Sequence, residues 1–227
     1  MHDRPPATAA VADASLRLGV PVRIGPARLR ALQPDQPFSG PARPVTHLGS
    51  VDVILETIDD APAGGVLVVD NGGREDEACV GDLLLLEAQG AGLAGVVIWG
   101  RHRDTAQLRR IALPLHSLGA YSFGPRRVPP AGRRMRTAFL DGAQVTEDDL
   151  VVADDDGVLI LSADRGDEVF ALAREIEAVE SAQADRMRGG LSLREQLDFA
   201  GYRERQRTDP DLTLRRHLLE RGTAIEV

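Results

Sequence analysis

Two short segments of the 227-residue chain hold residue types that can do chemistry together. They are Gly81-Asp82-Leu83-Leu84 and, about twenty residues later, Arg103-Asp104. Free backbone amides at the start of a helix, with a guanidinium beside them, suit a carboxylate ligand. A lone aspartate suits a hard divalent cation that keeps most of its waters. If the segments lie side by side, they describe a site for a small keto acid held on a metal.

What must position them is a pair of strands. Val66–Val69 is a β-branched apolar run ending in Asp70-Asn71-Gly72-Gly73, and Gly81 opens a helical stretch over Asp82–Gln89. A second run, Val96-Val97-Ile98-Trp99, ends in Gly100, with Arg103-Asp104 just past it. Around this pair the pattern predicts a helix over residues 7–19 stopped by Gly19, an extended piece at Pro41–Thr46 and a helix over Val51–Ile58. It further predicts a helix over 105–111, a strand over 113–117 and a loop over Gly124–Pro130. Val151–Ala153 and Val158–Leu161 flank Asp154-Asp155-Asp156-Gly157 as a hairpin. Asp164–Arg188 has helical periodicity, and after Gly189-Gly190 come two further helical stretches. The alternation of strand and helix argues an α/β fold.

Composition narrows the chemistry. The chain has no lysine, and all 27 basic residues are arginine, which excludes a lysine Schiff base and a Walker A lysine. An arginine-biased composition accounts for this without any functional cause, yet the exclusion stands. A carbanion next to a carbonyl must then be stabilised by a metal or by fixed donors. The net charge of −8 argues against a nucleic-acid or basic membrane-surface protein, and the single Cys79 excludes an internal disulfide or a cysteine zinc site. No signal-like h-region and no run of eighteen apolar residues is present, so a soluble cytoplasmic protein is expected.

Other motifs carry less. Gly90-Ala91-Gly92-Leu93-Ala94-Gly95 matches G-x-G-x-x-G, but it follows a helix and precedes a strand, the reverse of a dinucleotide site. Asp154–Gly157 lacks the rest of a calcium loop and reads as an acidic turn. Arg74-Glu75-Asp76-Glu77 reads mostly as solvated loop. His102 and His116 are separated singletons, and Ser117 and Ser122 lack a nucleophile-elbow context.

Asp70-Asn71-Gly72-Gly73, Gly81-Asp82-Leu83, Gly95-Val96 followed by Gly100-Arg101-His102-Arg103-Asp104, and Ala153-Asp154-Asp155-Asp156-Gly157-Val158 occur in that order. Over roughly residues 7–185 the chain thereby resembles the RraA-like family. That family includes class II 4-hydroxy-4-methyl-2-oxoglutarate aldolases, oxaloacetate decarboxylases and the regulator of ribonuclease E activity. The resemblance implies a layered β/β/α swivelling-type domain with a mixed central sheet flanked by helices, over 1–188, and a helical extension over 189–227. It implies that the backbone of Gly81, Asp82, Leu83 and Leu84 holds a pyruvate carboxylate and that Arg103 binds the pyruvyl oxygens. Asp104 would be the one direct protein ligand of Mg²⁺ or Mn²⁺, and Asp82 would order a water on it that moves the proton. A trimer or hexamer is implied, with an acidic residue reaching the site from a neighbouring subunit; Glu175 and Glu177 are the candidates. Arg101-His102 depart from the family's small or apolar residues and could select a more acidic substrate.

The expected activity is a metal-dependent lyase that releases pyruvate from a 4-hydroxy-2-oxo acid, with oxaloacetate decarboxylation as a second activity. The alternative is a non-catalytic regulator that binds a ribonuclease or another protein.

Overall fold

The two β-branched runs become neighbouring parallel strands, in register from Val66 opposite Gly95 to Asp70 opposite Trp99. Every residue of both strands is buried, because each face of the sheet has its own core. Leu67, Val69, Val96 and Ile98 face one apolar cluster, and Val66, Val68, Val97 and Trp99 face the other. A strand covered on both faces reads as a continuous apolar run, which is the pattern seen in the sequence.

The computed structural model describes residues 4–126 and 135–222. In chain order the elements are α1 (Thr8–Leu18), β1 (Arg23–Ile24), β2 (Arg30–Ala31), β3 (Phe38–Thr46), α2 (Asp52–Asp59), β4 (Val66–Asp70), β5 (Ala78–Val80) and α3 (Asp82–Gly90). They continue with β6 (Gly95–Trp99), β7 (Arg101–His102), α4 (Thr105–Leu108), β8 (Leu115–Ser117), β9 (Ala138–Leu140), β10 (Ala143–Val145), β11 (Asp149–Asp154), β12 (Gly157–Ser162) and α5 (Gly166–Arg188). The last are α6 (Leu193–Gln196), α7 (Phe199–Thr208) and α8 (Leu214–Glu220).

The main sheet runs β1-β12-β11-β3-β4-β6-β8-β2. Its centre, β3-β4-β6-β8, is parallel, and the flanking pairs are antiparallel. The α2, α3 and α4 crossovers cover one face with Val53, Ile54, Ile58, Leu85, Ala88 and Leu108. The other face meets the β9–β10 hairpin and β11–β12 through Ala138, Leu140, Val145, Val151 and Ile160. This is the layered mixed-sheet α/β architecture expected. Gly90 to Gly95 is a helix-to-strand turn: Gly92 has φ +77°, and a Cβ on Gly95 would sit 2.3 Å from the Phe38 ring.

Several elements differ from the sequence reading. The helix expected over 105–111 lasts only from Thr105 to Leu108, the tail holds three short helices, and β5 and β7 were not anticipated. Glu77, in a run read mostly as solvated loop, is buried just before β5. The Gly124–Pro130 loop lies partly outside the described residues.

The chain clusters into two compact units, Met1–Ala173 and Arg174–Val227. In the second, α7 and α8 meet through the rings of Tyr202 and His217, 5.8 Å apart, and through Arg205, which reaches both His217 and Glu220. Among the described residues, no helix is long and apolar enough to cross a membrane.

The acidic turn closing β11 has a structural duty in the first unit. Helix α1 has no side-chain cap of its own, and the Asp154 carboxylate supplies one from across the chain. It accepts the Thr8 amide and hydroxyl, each at 2.7 Å, and the Asp156 amide at 2.9 Å. Asp154→Ala removes all three and is expected to destabilise the chain by about 2–3 kcal/mol, read from urea unfolding. A loss under about 0.5 kcal/mol would mean that water replaces these bonds at no cost.

Candidate active site

The site grows from the ends of two parallel strands. Past β4 the chain turns at Gly72 and Gly73, with φ of +65° and +64°, a conformation glycine adopts freely. The Asp70 carboxylate secures this turn by accepting the Gly72 amide at 2.7 Å and the Phe139 amide at 2.9 Å. The chain then forms β5 and enters α3 at Gly81. Past β6, Gly100 leads into β7, which pairs in parallel with β5. The Arg103 N–H donates to the Val80 carbonyl at 3.0 Å, which sets Arg103-Asp104 beside the start of α3. Ligand sites of open parallel sheets form at this carboxyl end of the strands.

Gly81 is where the parts meet. A Cβ built there would lie 2.5 Å from Asp104 Oδ2 and 3.2 Å from Arg103 Nε, so the two side chains converge on a position that holds no side chain. Arg103 Nε and Asp104 Oδ2 are 3.3 Å apart, and the Asp82 amide faces the same oxygen at 3.5 Å, the outer limit of a hydrogen bond. The Leu83 amide is taken by Asp82 Oδ1 at 2.8 Å. Gly81 gives α3 no side-chain cap, and the Asp82 carboxylate is the negative group that now meets its electropositive first turn. Arg103 is 52% exposed and Asp104 34%, open enough for a ligand to reach both.

Asp104 is held in an unusual backbone state, φ 62° and ψ 36°. An aspartate at a helix N-cap ordinarily turns its carboxylate back onto the helix amides. This left-handed residue does not cap α4, and its carboxylate points to Gly81 and Arg103 instead. Sparsely populated backbone states persist where the surroundings over-determine them, often at functional sites.

Among the described residues, no group of three or more His, Cys, Asp or Glu side chains could enclose a metal. Asp104 offers a single, partly exposed carboxylate. Few oxygen ligands with the rest of the shell left to water is what Mg²⁺ or Mn²⁺ tolerates, so the residues fit such a cation.

His102, His116 and Cys79 have structural surroundings. His102 is buried between Ser117 Oγ at 2.7 Å and Thr105 Oγ1 at 3.1 Å. Burial, then the nearby Arg109 and Arg101 charges, push it below the usual histidine range. Its partner Ser117 is as deeply buried and offers no exposed nucleophile. His116 donates from Nε2 to the Asp154 carbonyl at 2.8 Å and is likewise lowered by burial. Burial pushes the Cys79 thiol up to about 12, which removes it as a thiolate.

The structure thus brings Gly81, Asp82, Arg103 and Asp104 together. Glu75, in a run read mostly as solvated loop, is half exposed and bridges two arginines. One of its oxygens accepts Arg101 Nη2 at 2.8 Å, and the other pairs with Arg28. Acidic Glu175 and Glu177 belong to the second compact unit.

The chain is similar in sequence and fold to several known proteins. A Deinococcus radiodurans protein, provisionally named a 4-hydroxy-4-methyl-2-oxoglutarate aldolase, is 34% identical over 127 residues, covering 56% of this chain and 79% of that one. Protein DlpA of Legionella pneumophila is 31% identical over 148 residues, 65% of this chain; the chain spans only 24% of that protein's length. The structure of the RNA-processing inhibitor RraA from Thermus thermophilus superposes with a TM-score of 0.59 at 26% identity, covering 71% of this chain and 93% of that one. The family model described as RraA-like, Aldolase/RraA, matches residues 8–160, so the chain belongs to the RraA-like family.

Proposed function

We propose that the chain is a divalent-metal-dependent lyase that cleaves a 4-hydroxy-2-oxo acid to pyruvate by a retro-aldol reaction, with decarboxylation of oxaloacetate as a second activity. The observation that carries this reading is the convergence of the Arg103 guanidinium and the Asp104 carboxylate on the side-chain-free Gly81 at the start of α3. Asp104 would hold the Mg²⁺ or Mn²⁺. When bound, the cation would polarise the substrate carbonyl and take up charge as the carbon–carbon bond breaks.

The remaining work falls to the chain. The backbone of Gly81, Asp82, Leu83 and Leu84 would receive the substrate carboxylate, and Arg103 would donate to the pyruvyl oxygens. Admitting a carboxylate to the Leu83 amide requires Asp82 to turn outward, since its own Oδ1 holds that amide now. That exposed contact is worth about 1 kcal/mol, a small cost against a charged ligand. The same turn frees the Asp82 carboxylate to order the water that moves the proton.

Pyruvate release from 4-hydroxy-2-oxo acids and from oxaloacetate, with Mg²⁺, with Mn²⁺ or with EDTA, tests the reading. Turnover of both substrate types should stop with EDTA and return with excess Mg²⁺. Activity indifferent to EDTA would sink the metal mechanism.

A regulator that works by protein contact is the second reading. Asp52, Glu56, Asp59 and Glu87 line one groove along α2 and α3, an acidic surface suited to a basic partner. Capture of a protein partner by a chain that turns over no keto acid would favour it.

A further inference from the structure

We infer that Arg101 recognises a second, distal carboxylate of the substrate, and that Glu75 is the internal carboxylate which this group displaces. The inference rests on the lyase reading above. His102 turns into the core, so Arg101 and Arg103 on either side of it emerge on the opposite face. Strand geometry puts their Cα atoms about 6.6 Å apart.

The segment Gly119–Gly124 runs past both guanidinium groups. Arg101 Nη1 lies 3.4 Å from the Ala120 carbonyl, and a Cβ on Gly124 would lie 3.1 Å from Arg103 Nη1. Arg103 stands beside the first turn of α3, where the 2-oxo acid end would bind. Arg101 stands further along the same face.

Arg101 is only partly satisfied as it stands. Its contact to Ala120 is long, and among the described residues its buried Nε has no hydrogen-bond partner and its charge is met by Glu75 alone. Glu75 lies in the loop between β4 and β5, with its side chain 50% exposed, and shares its charge with the still more exposed Arg28. Ion pairs this wet contribute little, so a second carboxylate can take the place of Glu75 at small cost. Arg101 itself is only 23% exposed and presents a planar fork suited to a carboxylate.

The test compares kcat/KM for pyruvate release from 4-hydroxy-2-oxoglutarate, with two carboxylates, and 4-hydroxy-2-oxopentanoate, with one. The ratio of the two is taken within each full-length protein, so a loss of folded material cancels. Arg101→Ala should lower that ratio by about ten- to a hundredfold. Glu75→Gln removes the competing charge and should raise it by about two- to tenfold. If both variants leave the ratio unchanged, or change both substrates alike, Arg101–Glu75 is a surface ion pair and the inference falls while the lyase reading stands. If the wild type releases pyruvate from neither substrate with Mg²⁺ or Mn²⁺, the lyase reading falls and takes this one with it.

Discussion

Asp104→Ala should lower kcat/KM for pyruvate release by about a thousandfold or more, because it removes the carboxylate proposed to hold the metal. The variant should also lose Mn²⁺ binding, read by the paramagnetic broadening of water relaxation, which separates a lost ligand from a slowed chemical step. The backbone provides a control. Asp104 sits at φ 62°, where glycine rests without strain and alanine does not. Asp104→Gly should therefore stay within about 1 kcal/mol of wild-type stability while being as inactive as Asp104→Ala. Asp104→Asn keeps the shape and the tolerance for this backbone state but loses the charge, and should fall with the other two. Wild-type turnover in Asp104→Gly would move the metal elsewhere. Retention of a protein partner by all three variants, with no turnover by wild type, would favour the regulator reading.

How much of this was legible in the sequence depends on whether local pattern or distant contact decides each element. Val66–Asp70 and Gly95–Trp99 announce themselves because a strand buried on both faces has no polar alternation to hide in. The β11–β12 hairpin is marked by Asp155-Asp156 between two apolar runs. Gly81 and Arg103-Asp104 stand out because they punctuate the ends of such runs. β5 and β7 are different: three residues and two, they are too short for any periodicity, and each exists because the other lies beside it. Yet they set the site, through the bond from the Arg103 amide to the Val80 carbonyl. The apolar triplet Ala78-Cys79-Val80 ahead of Gly81 was the one local signal for β5. The left-handed turn of Asp104, the Thr8 cap on Asp154 and the Arg28–Glu75–Arg101 cluster are likewise contacts between distant residues with no pattern of their own.

Gly81→Ala tests whether the convergence itself is the active site. At φ −127° and ψ −171° the residue is extended, so alanine fits the backbone, and exchanging glycine for alanine at an N-cap costs about 1 kcal/mol at most. The new Cβ, however, would sit 2.5 Å from Asp104 Oδ2 and 3.2 Å from Arg103 Nε, both closer than van der Waals contact. Both atoms belong to flexible side chains, so the fold survives and the side chains turn aside. Misplacing reacting groups by about 1 Å costs on the order of a hundredfold in rate, and kcat/KM should drop by about that much with a melting point near wild type. Because the methyl meets the Asp104 carboxylate much more closely than Arg103, most of its effect should be lost once that carboxylate is gone. The double variant Gly81→Ala, Asp104→Ala should be only slightly slower than Asp104→Ala alone, a departure from additivity expected of groups that work as a unit. Full additivity would mean that Gly81 matters by another route, such as direct contact of the new methyl with the substrate. Wild-type activity in Gly81→Ala would place the chemistry away from the start of α3 altogether.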